Sequence, residues 1–287
     1  MRYGFRIVNV FTVGNDKFSG NPLCVFDSAN GMTDTQMQAL ARQMNLSETT
    51  FVFREQLGRH SAHIPLGPEV RIFTPGFEMP FAGHPTLGTA AVVAVGNEVT
   101  LEMKAGNVQV KREGNDWTLR AVQAPVTRPV EASRAELAAM VGLPPEAISD
   151  EPLWVSTGVE QLVIPVATIA HVKAARPTYD LLEKHGFSAT RQEAMAYVWA
   201  RGVGDQIAVR FFFTLSGSVI EDPATGSACA NLGGWHVATG KPLPMVATLR
   251  QGDAVGRPSR LVLRVDADGA IFVSGSVIEL GAGHIEV

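Results

Sequence analysis

The 287-residue chain is long enough for one large or two medium domains with a sizeable buried core. A formal net charge of −4 gives no electrostatic footprint for nucleic acid. The two cysteines, Cys24 and Cys229, make neither a disulfide framework nor a zinc knuckle, in keeping with a reducing cytoplasm. The first residues enter a β-type run without a signal-peptide core. The longest uncharged stretch, residues 81–96, is too short and too interrupted by Gly, His and Pro to span a bilayer. The expectation is a soluble, cytoplasmic protein that binds neither nucleic acid nor membrane.

Residues 5–13 read as a strand ended by Gly14-Asn15-Asp16. Ser19-Gly20-Asn21-Pro22 reads as a turn before the apolar strand 23–26. Asn21 is there a turn residue, or a ligand contact if that turn lies beside the glycine loops below. Thr33 to Gln36 is a capping box that opens a helix. Met37, Leu40, Ala41 and Met44 follow at helical spacing as core, and Asn45 can close it. In the strand around 48–53, alternation puts Glu48 with Thr50 and Val52 on one face, and Thr49 with Phe51 and Phe53 on the other. Glu48 is a solvated carboxylate if that face is outward, and suited to proton transfer near neutral pH if it is inward. His60 and His63 have metal-like spacing but no partner ligands nearby, and read as loop residues. Residues 70–74 are a strand. Residues 99–103, 108–112 and 117–121 form a meander, and 125–129 a linker between prolines.

The second half repeats this order. Ser133 to Glu136 is another capping box, stopped by Gly142 and Pro144-Pro145. The segment Ser156-Thr157-Gly158 precedes the apolar strand 162–166 much as the Asn21 turn precedes its own strand, which marks Ser156 and Gly158 as counterparts of that turn. A short helix over 177–185, strands at 197–201 and 207–214, a hairpin of 261–265 with 270–273, and a β-type tail from 283 complete the chain.

Each half carries one glycine loop ahead of an uncharged, small-residue stretch: Glu78-Met79-Pro80-Phe81-Ala82-Gly83-His84 and Glu221-Asp222-Pro223-Ala224-Thr225-Gly226-Ser227. Pro80 falls on Pro223, Gly83 on Gly226 and His84 on Ser227, at an offset of 143 residues, half the chain. Such loops often mean tight packing alone. Two helix starts, one per half, could also hold one carboxylate through unpaired N–H groups. Asp222 falls on Met79, and Glu48 has no evident counterpart. One acid/base set of Glu48, His84, Asp222 and Ser227 is therefore expected rather than two. The P-loop, zincin, nucleophile-elbow and complete dinucleotide fingerprints are absent from the sequence, so neither metal nor nucleotide is expected.

Ser19-Gly20-Asn21-Pro22, Met44 to Thr49, Glu78 to Thr86, Glu221 to Ala228 and Gly256-Arg257-Pro258-Ser259 together resemble the phenazine-biosynthesis isomerase (PhzF-like) family, in family order over essentially the whole chain. The resemblance implies an α+β diaminopimelate epimerase-like fold of two pseudo-symmetric domains. Each is a curled, barrel-like β-sheet around a central helix, and the active site lies in the cleft between them. Domains at 1–126 and 127–279 follow, with the C-terminal strand 280–287 returning to the first. The resemblance also implies cofactor-free movement of a proton on a small carboxylated substrate, as in trans-2,3-dihydro-3-hydroxyanthranilate isomerisation, by a homodimeric enzyme. In that scheme Glu48 is the general acid/base, and His84, Asp222 and Ser227 hold and polarise the substrate. The backbone at Gly83 and Gly226 receives the carboxylate, with Asn21, Thr225, Ser156 and Gly158 as further binding positions. Racemases of this fold use a cysteine pair at the two loops, where this chain has His84 and Ser227. An amino-acid epimerase or racemase, or a non-catalytic carboxylate-binding protein, is the alternative.

Overall fold

The computed structural model describes residues 1–54, 60–61, 64–65 and 67–287. It divides into two compact units, Met1–Val122 with Ser274–Val287, and Gln123–Val273.

In the first unit the strands are β1 (Arg2–Val10), β2 (Asn21–Phe26), β3 (Glu48–Phe53), β4 (His60–Ser61), β5 (Ile64–Pro65), β6 (Glu69–Phe73), β7 (Glu78–Met79), β8 (Glu98–Met103), β9 (Gly106–Glu113) and β10 (Asp116–Arg120). Its helices are α1 (Asp34–Met44) and α2 (Gly83–Val93). The second unit holds β11 (Val126–Pro129), α3 (Arg134–Met140), β12 (Leu153–Ser156), β13 (Glu160–Pro165), α4 (Ile169–Ala174), α5 (Tyr179–His185), β14 (Phe187–Ser188), β15 (Glu193–Arg201) and β16 (Gln206–Leu215). It continues through β17 (Ser218–Asp222), α6 (Gly226–Ala238), β18 (Met245–Gln251) and β19 (Ser259–Val265). The long strand β20 (Ile271–Glu286) begins there, and from Ser274 belongs to the first unit.

In the first unit the pairing β20–β1–β2–β3–β6–β8–β9–β10–β20 closes a barrel of eight strands, with β2–β3 and β6–β8 parallel and β7 folded back on β6. Helix α2 runs against β1, β2, β3, β8, β9 and β10. Almost all its side chains are buried, from His84 through Leu87 to Val93. It is therefore a core helix with no polar face, as its uncharged, small-residue sequence demands. A Cβ at Gly88 would come within 2.5 Å of Leu23 Cδ2, so this close approach of helix to wall requires glycine. The strands alternate faces. Leu23 and Val10 point to α2, while Cys24, Phe26 and Phe51 point outward beneath α1, packing with Met37, Leu40 and Ala41. Phe26 stacks on Phe51 with centroids 5.0 Å apart. The expected capping box is present, with Gln36 N–H donating to Thr33 Oγ1, and Asn45 closes α1 in the left-handed region.

The second unit repeats the same pairings in the same order. Strands β12–β13 are antiparallel, β13–β15 parallel, β15–β16 antiparallel, β17 folds back on β16, β16–β18 is parallel and β18–β19 antiparallel. Strands β19 and β20 continue the sheet, and β11 pairs with β12. Helix α6 packs on β11, β12, β13 and β19. The capping box at Ser133 and Glu136 is also present.

Four readings change. The proline-flanked segment expected as a linker is strand β11. Asn21 is the first residue of β2 rather than a turn residue, and is fully buried. Strands β16 and β6 do not feed the glycine loops directly, because the short return strands β17 and β7 intervene. His60 lies in strand β4, and His63 lies outside the described residues.

His236, buried in α6, carries a pH-dependent part of the stability. Arg201 Nη2 can only donate, so at 2.6 Å it meets an unprotonated His236 Nε2, and Nδ1 donates to the Leu232 carbonyl at 3.2 Å. Burial, and then the Arg201 charge, push the imidazole down from 6.5 to about 4. Between those values the unfolded chain holds this proton and the folded chain does not, so stability falls as pH falls through that window, by on the order of 3 kcal/mol. Denaturant titrations should show His236→Gln losing less stability than the wild type on going from about pH 7 to about pH 4.5. Parallel losses would remove His236 as the cause.

Candidate active-site residues in each unit

In the first unit the hairpin β6–β7 delivers the chain to α2, whose first helical residue is Gly83. The N-cap is Ala82, and no side chain caps this start. His84 follows, only 4% exposed. Its Nε2 lies 3.3 Å from the Pro22 carbonyl oxygen and its Nδ1 3.1 Å from Glu48 Oε2. Glu48 reaches this position because β3 runs parallel to β2 with Glu48 beside Leu23, on the face shared with Thr50, whose hydroxyl meets Thr89 of α2 at 2.8 Å. The inward alternative for Glu48 is the one that forms.

Glu48 Oε2 is buried and within ion-pair reach of His84, but it is not aligned for a hydrogen bond with any described group. A carbonyl oxygen can only accept, so Nε2 of His84 carries a proton toward Pro22. A carboxylate and an imidazole 3.1 Å apart are side chains of the kind that general acid/base chemistry uses. Asn21 is buried immediately before Pro22.

In the second unit Gly226 is likewise the first residue of its central helix, after the hairpin β16–β17. The N-cap Thr225 does not cap with its side chain. Its Oγ1 donates to Asp222 Oδ2 at 2.5 Å and accepts from Gln251 Nε2 at 3.0 Å. Gln251 also accepts the Thr225 N–H at 3.2 Å and donates to the Asp222 carbonyl at 2.9 Å, so one buried amide holds the entire turn. Ser227 is the second residue of α6, half-buried, with Gln161 Nε2 at 2.9 Å from its Oγ. Ser156 Oγ accepts from Gln123 Nε2 at 3.2 Å and from the N–H of Gly158 at 3.4 Å, in a loop where Gly158 has φ 140°.

Glu48 with His84, and Asp222 with Thr225, are thus brought together within their own units. Ser227 is placed instead on Gln161, a residue for which the sequence gives no motif.

A second pair of residues escaped sequence reasoning although its signal was present. Glu78 and Glu221 fall on one another at the offset that aligns Gly83 with Gly226. In the structure each is held in a two-bond fork by an arginine of the preceding strand. Arg71 meets Glu78 at 2.7 and 2.7 Å, and Arg210 meets Glu221 at 3.0 and 2.6 Å. Each arginine also lies over the phenylalanine two residues on, Phe73 or Phe212. Arg71, and then Lys104, hold the Glu78 carboxyl below the usual carboxylate range. These forks pin the hairpin ahead of each helix start.

The family model described as phenazine biosynthesis-like protein (PhzC-PhzF) matches residues 8–280. The chain belongs to this family. An uncharacterized isomerase of Pasteurella multocida is 37% identical over 99% of this chain and 94% of its own length. The trans-2,3-dihydro-3-hydroxyanthranilate isomerase of Pseudomonas aeruginosa is 34% identical over 97% and 98%. A PhzF-family phenazine biosynthesis protein of Bacillus anthracis superposes with a TM-score of 0.83, covering all of both chains. At 22% identity that likeness carries the fold. The α+β, epimerase-like fold and membership of an isomerase family are thereby established. No helix among the described residues is long and apolar enough to cross a membrane.

Proposed function

We propose that the protein is a cofactor-independent isomerase that relocates a proton on a small carboxylated substrate, similar to trans-2,3-dihydro-3-hydroxyanthranilate, with Glu48 as the general acid/base. The observation that carries this reading is the buried Glu48 Oε2 atom, 3.1 Å from His84 and not aligned as a hydrogen bond. Glu48 as carboxylate takes a proton from a substrate carbon, and the electron pair shifts into the conjugated ring system. Glu48 as acid then returns a proton to a second carbon, so the composition of the substrate is unchanged. His84 shares the transferred proton's charge. Asp222, Thr225 and Ser227 are polar contacts to substrate in this reading, with Asn21, Ser156 and Gly158 as further binding positions. The helix starts at Gly83 and Gly226 present backbone N–H groups of the kind that receive carboxylates.

A two-thiol racemase chemistry finds no support. Cys229 is fully buried and burial pushes its thiol well above the ordinary range, while burial pushes Cys24 up to about 12. The proposal extends to a cytoplasmic location and to a homodimer, the latter read directly by light scattering.

The test is incubation of metal-free enzyme, dialysed against chelator, with trans-2,3-dihydro-3-hydroxyanthranilate in D₂O, followed by NMR. Isomerised product carrying solvent deuterium is expected, at a rate the chelator leaves unchanged. Loss of activity on chelation with recovery on adding zinc would overturn cofactor independence. Absence of turnover would remove this substrate.

A further inference from the structure

We infer that Gln161 and Asn231 are positioning residues that fix the hydroxyl of Ser227 as a hydrogen-bond donor toward substrate; the inference rests on the proposed reading in placing substrate at Ser227. The chain of bonds starts from backbone groups whose roles cannot reverse. The Thr157 N–H must donate, so the atom of Asn231 it meets at 2.9 Å is Oδ1, which also accepts from Thr157 Oγ1 at 2.8 Å. The Val159 carbonyl must accept, so the atom it meets at 2.8 Å is Asn231 Nδ2. Both ends of the Asn231 amide are thus assigned independently, and no flip is available. The same Nδ2 lies 2.7 Å from the Gln161 side chain, which must present Oε1 to it. Gln161 Nε2 is then the atom left to face Ser227 Oγ at 2.9 Å.

Ser227 Oγ accepts from below, so its own proton is turned away from Gln161. Thr157, Gln161 and Asn231 are each at most 4% exposed, so water does not compete for these bonds, whereas Ser227 itself is half-buried. Asn231 belongs to the same helix as Ser227; Gln161 of β13 joins them, and Thr157 and Val159 of the β12–β13 turn anchor the Asn231 end. The consequence is selectivity. With one lone pair taken by Gln161 and its proton turned away, the hydroxyl favours a carboxylate, carbonyl or other acceptor oxygen, and only its second lone pair is left to accept.

The discriminating variant is Gln161→Glu. It keeps the shape and the acceptor for Asn231, but as a carboxylate it would draw the Ser227 proton inward. The neighbouring charge, Glu160, stays on the opposite face of the strand, forked to Arg128 at 2.9 and 3.0 Å. At about pH 9 kcat/KM should fall by about 10–100-fold, the range expected for one bond to a charged acceptor. Toward about pH 6 the introduced carboxyl regains a proton, can donate to Ser227 as the amide does, and the deficit against wild type should shrink. Gln161→Leu should lose activity without that recovery, and in a Ser227→Ala background Gln161→Glu should cost nothing further. A deficit equal at both pH values, or additive losses in the cycle, would overturn the inference. A substrate-free reading separates this from failure of the proposed function. The side-chain amide protons of Gln161 should shift in the NMR spectrum of Ser227→Ala, and unshifted amide protons would overturn the inference whatever the substrate.

Discussion

Glu48→Gln is expected to lower kcat by at least about 10²–10⁴-fold, the usual worth of a positioned general acid or base. The substitution keeps the size of the side chain and an oxygen within reach of His84 Nδ1, now 3.1 Å away. What it removes is the ability to hold a transferable proton. Substrate affinity should change little, because in this account the carboxylate is held by backbone and by other side chains. A loss confined to kcat marks a group that acts in the transition state. Asp222→Asn should cost less, since Asp222 is engaged by Thr225 at 2.5 Å and serves as an orienting contact rather than the base. Stopped-flow or NMR turnover with independent ligand titration checks both. A Glu48→Gln variant with normal kcat and weakened binding would reassign Glu48 to substrate binding.

The second large effect is on stability. Arg210 and Glu221 each have only 9% of the side chain exposed. Arg210 Nη1 also donates to the carbonyls of Val172, Lys173 and Ala175, at 3.3, 3.2 and 2.6 Å, at the C-terminal end of α4. Arg210→Met strands a buried carboxylate, although Arg176 Nη1 still meets the Lys173 and Ala175 carbonyls and the Ala175 N–H the Val172 carbonyl, and should cost about 3–5 kcal/mol. Replacing both partners, as Arg210→Met with Glu221→Leu, should recover part of that by removing the stranded charge. Arg71→Met should cost less, because Lys104 still meets Glu78 at 2.6 Å. Denaturant midpoints at unchanged m-value measure all three. A loss below about 1 kcal/mol for Arg210→Met would show the fork to be replaceable by water.

How far the fold could be read from residues follows the physics of each signal. The two central helices were legible because a helix buried on all sides needs small, uncharged residues, and both stretches have them at one offset. Capping boxes at Thr33 and Ser133 were legible because the bonding is local. Glu48 could be assigned a face with Thr50, but whether that face was inward depended on parallel pairing with β2, which no local signal encodes. Strand β11 is exposed at all four positions and bounded by prolines, so it lacks the alternation that marks a strand. Strand β18 turns Ala247, Leu249 and Gln251 inward, a face with a weak strand former and a polar residue. Gln161, Gln251 and Asn231 escaped for a related reason. A buried amide is identified by the partners it meets across the fold, and in sequence it looks like any surface residue.

Deuterium wash-in at the reacting carbon tests the central claim most directly, since it reads proton removal from carbon whether or not product is released. Wild-type enzyme with trans-2,3-dihydro-3-hydroxyanthranilate in D₂O should exchange or incorporate label at that carbon, Asp222→Asn should do so more slowly, and Glu48→Gln should fall by at least about 10²-fold. Glu48→Gln exchanging at the wild-type rate would contradict the assignment of Glu48 as the base, and a loss confined to Asp222→Asn would move that role to Asp222.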